Sequence, residues 1–193
     1  MKRSDCMIHS VRFKAVLDTN VIYPVVIRDL LFWFAHYDLY TPKWSNHIFD
    51  EWTDVMARKG VSAEEIKKRV NAVNHAFPDA LVNNYQGLIK NLELPDPKDC
   101  HVLAAAIKTN ANVIVTNNLK DFPEDYLDSF DIKAKSADDF LTDIIDLNHE
   151  EAIKAFREMV LNKKKPELDE YQVLDLLRRS GLNATADYLH AFL

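Results

Sequence analysis

Four carboxylates stand where a fold could make them converge. Asp18 follows the apolar run 13–17 (FKAVL), and Asp121 closes the polar turn after a second apolar run, 112–116 (NVIVT). Asp99 opens the helix that feeds this second run. Glu51 lies on the flank of an amphipathic helix, about 100° from the centre of its apolar face. Carboxylates brought together cannot all stay ionised without a cation. Oxygen donors without a Cys or His cluster favour Mg2+ or Mn2+ over zinc. Two such ions about 4 Å apart activate water and stabilise the leaving oxygen in phosphodiester cleavage. Each acid also has a plainer reading. Asp96 and Asp99 suit a helix N-terminus, Glu51 suits a solvated flank, and Asn20 and Asn118 suit turns. Their joint placement is what points to chemistry.

The elements that must position them read as follows. Residues 13–17 form a buried strand, 29–37 an apolar helix, and 38–40 a short strand ending at Pro42. Ser45 or Asn46 caps a helix with Ile48, Phe49, Trp52, Val55 and Met56 on one face. Ser62, with Glu65 three residues on, opens another helix to Ala76. Residues 78–93 read as a short helix with strand character at 80–82. Asp96 caps the next helix with Pro97 in its first turn, and it runs to about Asn110. Residues 112–116 form a second buried strand and 132–134 an edge strand. Strands alternating with helices make this an α/β fold with a parallel sheet, and ligand sites of such sheets lie beyond the carboxyl ends of the strands.

Residues 137–146, 150–162, 168–179 and 184–192 all carry helical spacing. Lys163-Lys164-Lys165-Pro166, a solvated linker with RNA contact as the sharper alternative, and Ser180-Gly181, a C-cap, punctuate them. The expected organisation is residues 11–136 as the α/β domain and 137–193 as a helical extension. In that extension Leu174, Leu177, Leu182, Tyr188, Leu189 and Phe192 read as internal core.

Composition removes other chemistries. Only Gly60, Gly87 and Gly181 occur, so no glycine-rich phosphate loop can be built. Cys6 and Cys100 are too few for a disulfide framework or a thiolate zinc site. His36, His47, His75 and His101 sit on separate helices without a ligand spacing and read as surface or core residues. No Ser or Cys has a nearby His in a nucleophile motif. No apolar run reaches the ~18 residues of a membrane span, and no secretory signal is visible, so a soluble cytoplasmic setting is expected. A net charge of -6 argues against nucleic acid, but residues 1–136 hold 17 Lys+Arg against 18 Asp+Glu while 137–193 hold 7 against 12. The acidity belongs mainly to the tail.

Asp18-Thr19-Asn20 after a strand, Glu51 on a helix, Asp99 ahead of His101-Val102-Leu103-Ala104-Ala105-Ala106, and Val115-Thr116-Asn117-Asn118-Leu119-Lys120-Asp121-Phe122 together resemble the PIN-domain family. That family comprises metal-dependent ribonucleases, including VapC-type toxins of bacterial type II toxin–antitoxin pairs. The likeness runs in order from about Phe13 to Ser136. Residues 28–45 and 136–193 resemble the subgroup with a C-terminal helical extension. The resemblance implies a three-layer fold, a central parallel sheet flanked by helices. It also implies Mg2+ or Mn2+ on Asp18, Glu51, Asp99 and Asp121, with Thr116 and Asn118 supporting the last. Asn20 matches the turn residue of the first motif and Asp96 an auxiliary acid. Cys100 departs from the family, standing where an Arg is common, and removes a phosphate contact. Lys14, Arg28, Lys43, Lys98 and Lys120 are candidate RNA contacts. Expected partners are an RNA substrate, a cognate antitoxin protein and a second copy of the chain. The alternative is a PIN-like RNA- or protein-binding module without catalysis.

Overall fold

A computed structural model describes residues 13–164 and 166–193. Five strands, β1 (Lys14–Leu17), β2 (Thr41–Ser45), β3 (Leu81–Val82), β4 (Val113–Val115) and β5 (Lys133–Lys135), form one sheet in the order β3-β2-β1-β4-β5. Every pair is parallel. The chain winds outward from β1 through β2 to β3, then returns to add β4 and β5 on the other side. The switch point of this order lies between β1 and β4, which is where a crevice opens in such sheets.

Helices α1 (Thr19–Ile22), α2 (Val25–His36), α3 (Asn46–Arg58), α4 (Ala63–Ala76), α5 (Gln86–Ile89), α6 (Cys100–Thr109) and α7 (Glu124–Asp128) make the connections. The central stretches of β1 and β4 are apolar because both faces are covered: Ala15, Val16, Leu17, Ile114 and Val115 have no exposed surface. α6 is buried almost throughout, and Ala104, Ala105 and Ala106 let it lie close to the sheet.

Two sequence expectations need correction. The helix read at 29–37 begins at Val25, because Pro24 starts it and burial of Ile27, Leu30 and Leu31 outweighs the β preference of Val25, Val26 and Ile27. The strand read at 38–40 is instead a turn, with Asp38 at φ 59, and the strand runs Thr41–Ser45 with Pro42 inside it. Pro42 is tolerated because amides alternate along β2. Thr41 donates to Phe13 of the β1 side, whereas Trp44 donates to Ala80 of the β3 side. The missing Pro42 amide would face β3, which pairs only with Trp44 and Ser45. Residues 78–93 contain both a strand and a short helix, β3 and α5.

Four further helices, α8 (Ala137–Leu147), α9 (His149–Asn162), α10 (Glu170–Arg179) and α11 (Asn183–Ala191), complete the chain. Their buried side chains belong to the same continuous core as the sheet. Phe140 of α8 meets Tyr40 edge-on at 5.0 Å and Phe13 at 5.9 Å. α10 ends in a Schellman turn in which Gly181, at φ 87, donates to Arg178 and Leu182 donates to Leu177. Leu174, Leu177, Leu182 and Leu189 are buried as expected, but Tyr188 and Phe192 are exposed. Lys163 is not a free linker residue either, since its ammonium pairs with Asp29 of α2 at 3.2 Å. Lys165 lies outside the described residues. Among the described residues no helix is long and apolar enough to cross a membrane.

Candidate functional site

β1 and β4 end side by side, and the residues that follow them are tied together. Asp18 is only 6% exposed, and its carboxylate is met from three directions. The Thr19 amide donates to Oδ1 at 2.6 Å, and the Thr116 hydroxyl and the Asn20 side-chain amide donate to Oδ2 at 2.7 and 2.5 Å. Asn20 also donates to the Thr116 hydroxyl at 2.8 Å and accepts from the Asn117 amide at 2.9 Å. These bonds stitch the end of β1 to the end of β4 across the switch point. Burial pushes the Asp18 carboxyl above its ordinary range despite the Thr116 and Thr19 hydrogen bonds, and the Glu51 charge adds to the rise.

Glu51 reaches the same rim from the second turn of α3, whose N-terminus is capped by Ser45 accepting from Ile48 at 3.3 Å. The Thr19 hydroxyl donates to Glu51 Oε2 at 2.5 Å, and His101 Nε2 donates to Oε1 at 3.1 Å. Burial alone would raise the Glu51 carboxyl, but the His101 and Thr19 hydrogen bonds outweigh it and hold the group below its usual range. Thr19 therefore links two carboxylates, through its amide to Asp18 and its hydroxyl to Glu51.

Asp99 stands at the N-terminus of α6, after a 3-10 turn (Pro97–Asp99) capped by Asp96, which accepts from the Lys98 amide at 2.9 Å. Its carboxyl is pushed up to about 6, first by burial and then by the charges of Asp18, Asp96 and Asp121. Four acids from four segments thus share one field. Asp121 closes a second 3-10 turn (Leu119–Asp121) and accepts a hydrogen bond from the Asn118 side-chain amide. Thr116 does not support Asp121 as expected. Its hydroxyl serves Asp18 and accepts from the Asn118 amide at 3.1 Å.

Two residues that the sequence reading left out of the site belong to it. His101 is buried, and its ring lies 5.1 Å from that of His47. These histidines are scattered in sequence but meet in space. Thr19 had been read only as part of a motif. The signal for His101 was its place two residues after Asp99, in the first turn of an α6 face turned toward α3.

The candidate RNA contacts separate into two groups. Lys14 begins β1, at the opposite edge of the sheet, and its ammonium donates to the Thr109 carbonyl at 2.9 Å. Lys43 lies within β2 and donates to the Asp79 carbonyl at 2.5 Å, with burial and then the Lys14 charge lowering its pKa. The structure does not bring either to the carboxylates. Arg28 starts α2 beside Trp52, and Lys98 and Lys120 sit next to Asp99 and Asp121 in their 3-10 turns. Cys100 packs inward, its thiol donating to the Leu92 carbonyl at 3.5 Å.

Among the described residues no three His, Cys, Asp or Glu side chains form a ready metal cage. The donor chemistry nonetheless suits a hard divalent cation: the ligand atoms on offer are carboxylate oxygens, and their mutual repulsion is already felt in the raised Asp99.

A family model described as PIN domain matches residues 14–120. The chain belongs to the PIN-domain family. The parallel sheet of this PIN domain follows the expectation drawn from the four motifs. Residues 137–191 match a second model, the VapC50 C-terminal domain. A Mycobacterium tuberculosis protein named "Putative ribonuclease VapC50" is 60% identical over 58 residues, which are 30% of this chain and 34% of that protein. The match thus spans about a third of that relative's length. No solved structure gives a significant match.

Proposed function

We propose that this PIN-domain chain is a metal-dependent endoribonuclease and the toxin of a type II toxin–antitoxin pair. The observation that carries the reading is the convergence of Asp18, Glu51, Asp99 and Asp121 at the switch point of the sheet, with Asp99 pushed up to about 6 by burial and then by its acidic neighbours. Residues 11–136 would carry the nuclease and 137–193 the helical extension. Asp18, Asp99, Asp121 and Glu51 would hold Mg2+ or Mn2+. When bound, such an ion lowers the pKa of water and neutralises charge building on a phosphodiester. The protein's own part is positional. Thr116, Asn20 and Thr19 fix both oxygens of Asp18, Thr19 and His101 fix both oxygens of Glu51, and Asn118 fixes Asp121.

RNA is the proposed substrate, and the VapC name of the relative and the matching extension support that choice. An antitoxin would set a basic side chain among the carboxylates and neutralise them in place of the ion. The test is cleavage of a mixed RNA pool with Mn2+ by wild type, Asp18→Asn and Asp99→Asn. Strong loss in both variants is expected. Equal cleavage by all three would leave a PIN-like binding module instead. Co-expression with the product of an adjacent short gene should restore growth if the pairing holds.

A further inference from the structure

Beyond Glu51 the side chains of α3 lead away from the carboxylates into a groove between α2, α3 and α4. It is a cleft of about 220 Å3, lined among others by Tyr23, Arg28, Trp52, Lys59 and Arg69.

 Eight residues separate Glu51 from Lys59, so the groove runs ~12 Å along the helix at 1.5 Å per residue. It begins at Trp52, the chain neighbour of an acid assigned to the site, and at Tyr23, which ends the α1 turn opened by Asp18.

Charge distinguishes this groove from the rest of the molecule. The Arg28 guanidinium lies 5.5 Å from the Trp52 ring centroid and pairs with Asp29 at 3.2 Å. The same Asp29 is shared with Lys163 at 3.2 Å, so one carboxylate serves two cations. Arg69 pairs with Glu65 at 3.0 Å, and Lys59 forms no ion pair among the described residues. Arg28, Lys59 and Arg69 line the groove and stand against Asp29 and Glu65, a local balance of +1 in a chain of net charge -6. Trp52 is buried beneath Arg28 and forms the floor of the groove, while the guanidinium and ammonium groups along it suit phosphate oxygens.

We propose that the groove lined by Tyr23, Arg28, Trp52, Lys59 and Arg69 is a subsite for single-stranded RNA, gripping the substrate strand beside the carboxylate cluster. The proposal rests on the RNA-cleaving reading. An RNA strand is favoured over an acidic peptide because the cationic track starts at Glu51, where a phosphodiester must be presented.

The test measures binding of a fluorescein-labelled single-stranded RNA of mixed sequence by anisotropy, in EDTA so that nothing is cut, across a salt series. Lys59→Gln/Arg69→Gln should weaken binding and lower the slope of log K against log salt by roughly 1.4, at ~0.7 per phosphate contact on a single strand. Lys108→Gln, on the exposed last turn of α6, should leave the slope unchanged. Thermal melting confirms that the double variant is folded. A double variant with the wild-type slope and affinity would overturn the proposal, as would an equal loss in Lys108→Gln. If wild type cuts no RNA with Mn2+ while the slope still falls in the double variant, the nuclease reading fails and the subsite stands. If wild type cuts RNA and the slope does not fall, the subsite fails alone.

Discussion

His101 holds Glu51 through one ring nitrogen while the other, Nδ1, is buried without a partner. A carboxylate oxygen only accepts, so the Nε2 N–H is the donor of this hydrogen bond. The side chain then acts as a fixed donor. His101→Gln places an amide N–H at a similar reach and should retain most cation affinity. His101→Leu should lose ~10–100-fold, the scale for a group that orients a metal ligand. Calorimetric Mn2+ titration of both variants checks this, and equal affinities would sink the positioning role. Asp99 gives a second prediction. Its carboxyl ordinarily titrates at 3.8 but is raised to about 6 in the fold. Between those values the folded chain holds a proton that the unfolded chain has released, so metal-free stability falls as pH rises through that window. Melting in EDTA should show this decline, and Asp99→Asn should flatten it. None of these couplings was legible in the sequence. The acids were, because Asp18 and Asp121 follow strands, Asp99 opens a helix and Glu51 lies on the flank of an amphipathic one. His101 and Thr19 were not, because their partners are 50 and 32 residues away.

At the scale of elements, caps and apolar runs were readable because they are local. Ser45 and Ser62 cap the helices they were expected to cap, while Asp96 caps the 3-10 turn that leads into α6. The start of α2 and the position of β2 were missed because tertiary burial and pairing with β1 decide them. The junction of α8 and α11 was equally hidden. Asp138 of α8 accepts from the Ala184 and Thr185 amides at 3.0 and 2.8 Å and from the Thr185 hydroxyl at 2.7 Å. A carboxylate from one helix thus caps the N-terminus of another, where no residue of α11 supplies a side-chain cap. Asp138→Ala should cost about 1–2 kcal/mol in urea unfolding. It should also raise hydrogen exchange in α11 before that of the sheet. An unchanged midpoint would show that water replaces the carboxylate without loss.

Taken whole, the molecule sets an acidic helical extension against a nearly neutral α/β layer, and the net charge of -6 describes neither alone. The extension is nevertheless part of the core. Ala152, Ile153, Phe156, Met159 and Val160 of α9 are buried in the same cluster as Ile27, Leu30, Leu31 and Phe34 of α2. Phe140 covers Tyr40, Lys154 lies 5.4 Å from the Tyr37 ring centroid, and Lys163 pairs with Asp29. A chain ending at Ser136 would uncover this face of α2, along with the aromatic cluster under Phe140. At ~25 cal/mol per Å2 of apolar surface, the loss of several large side-chain contacts rivals the whole stability of an ordinary domain. The truncated chain should therefore be recovered unfolded or aggregated, with ANS binding and no cooperative melt. The carboxylate site depends on the same integrity, since α2 follows directly from the α1 turn that begins at Asp18. Soluble, cooperatively melting protein from residues 1–136 that still binds Mn2+ would show that the α/β layer holds its site without the extension.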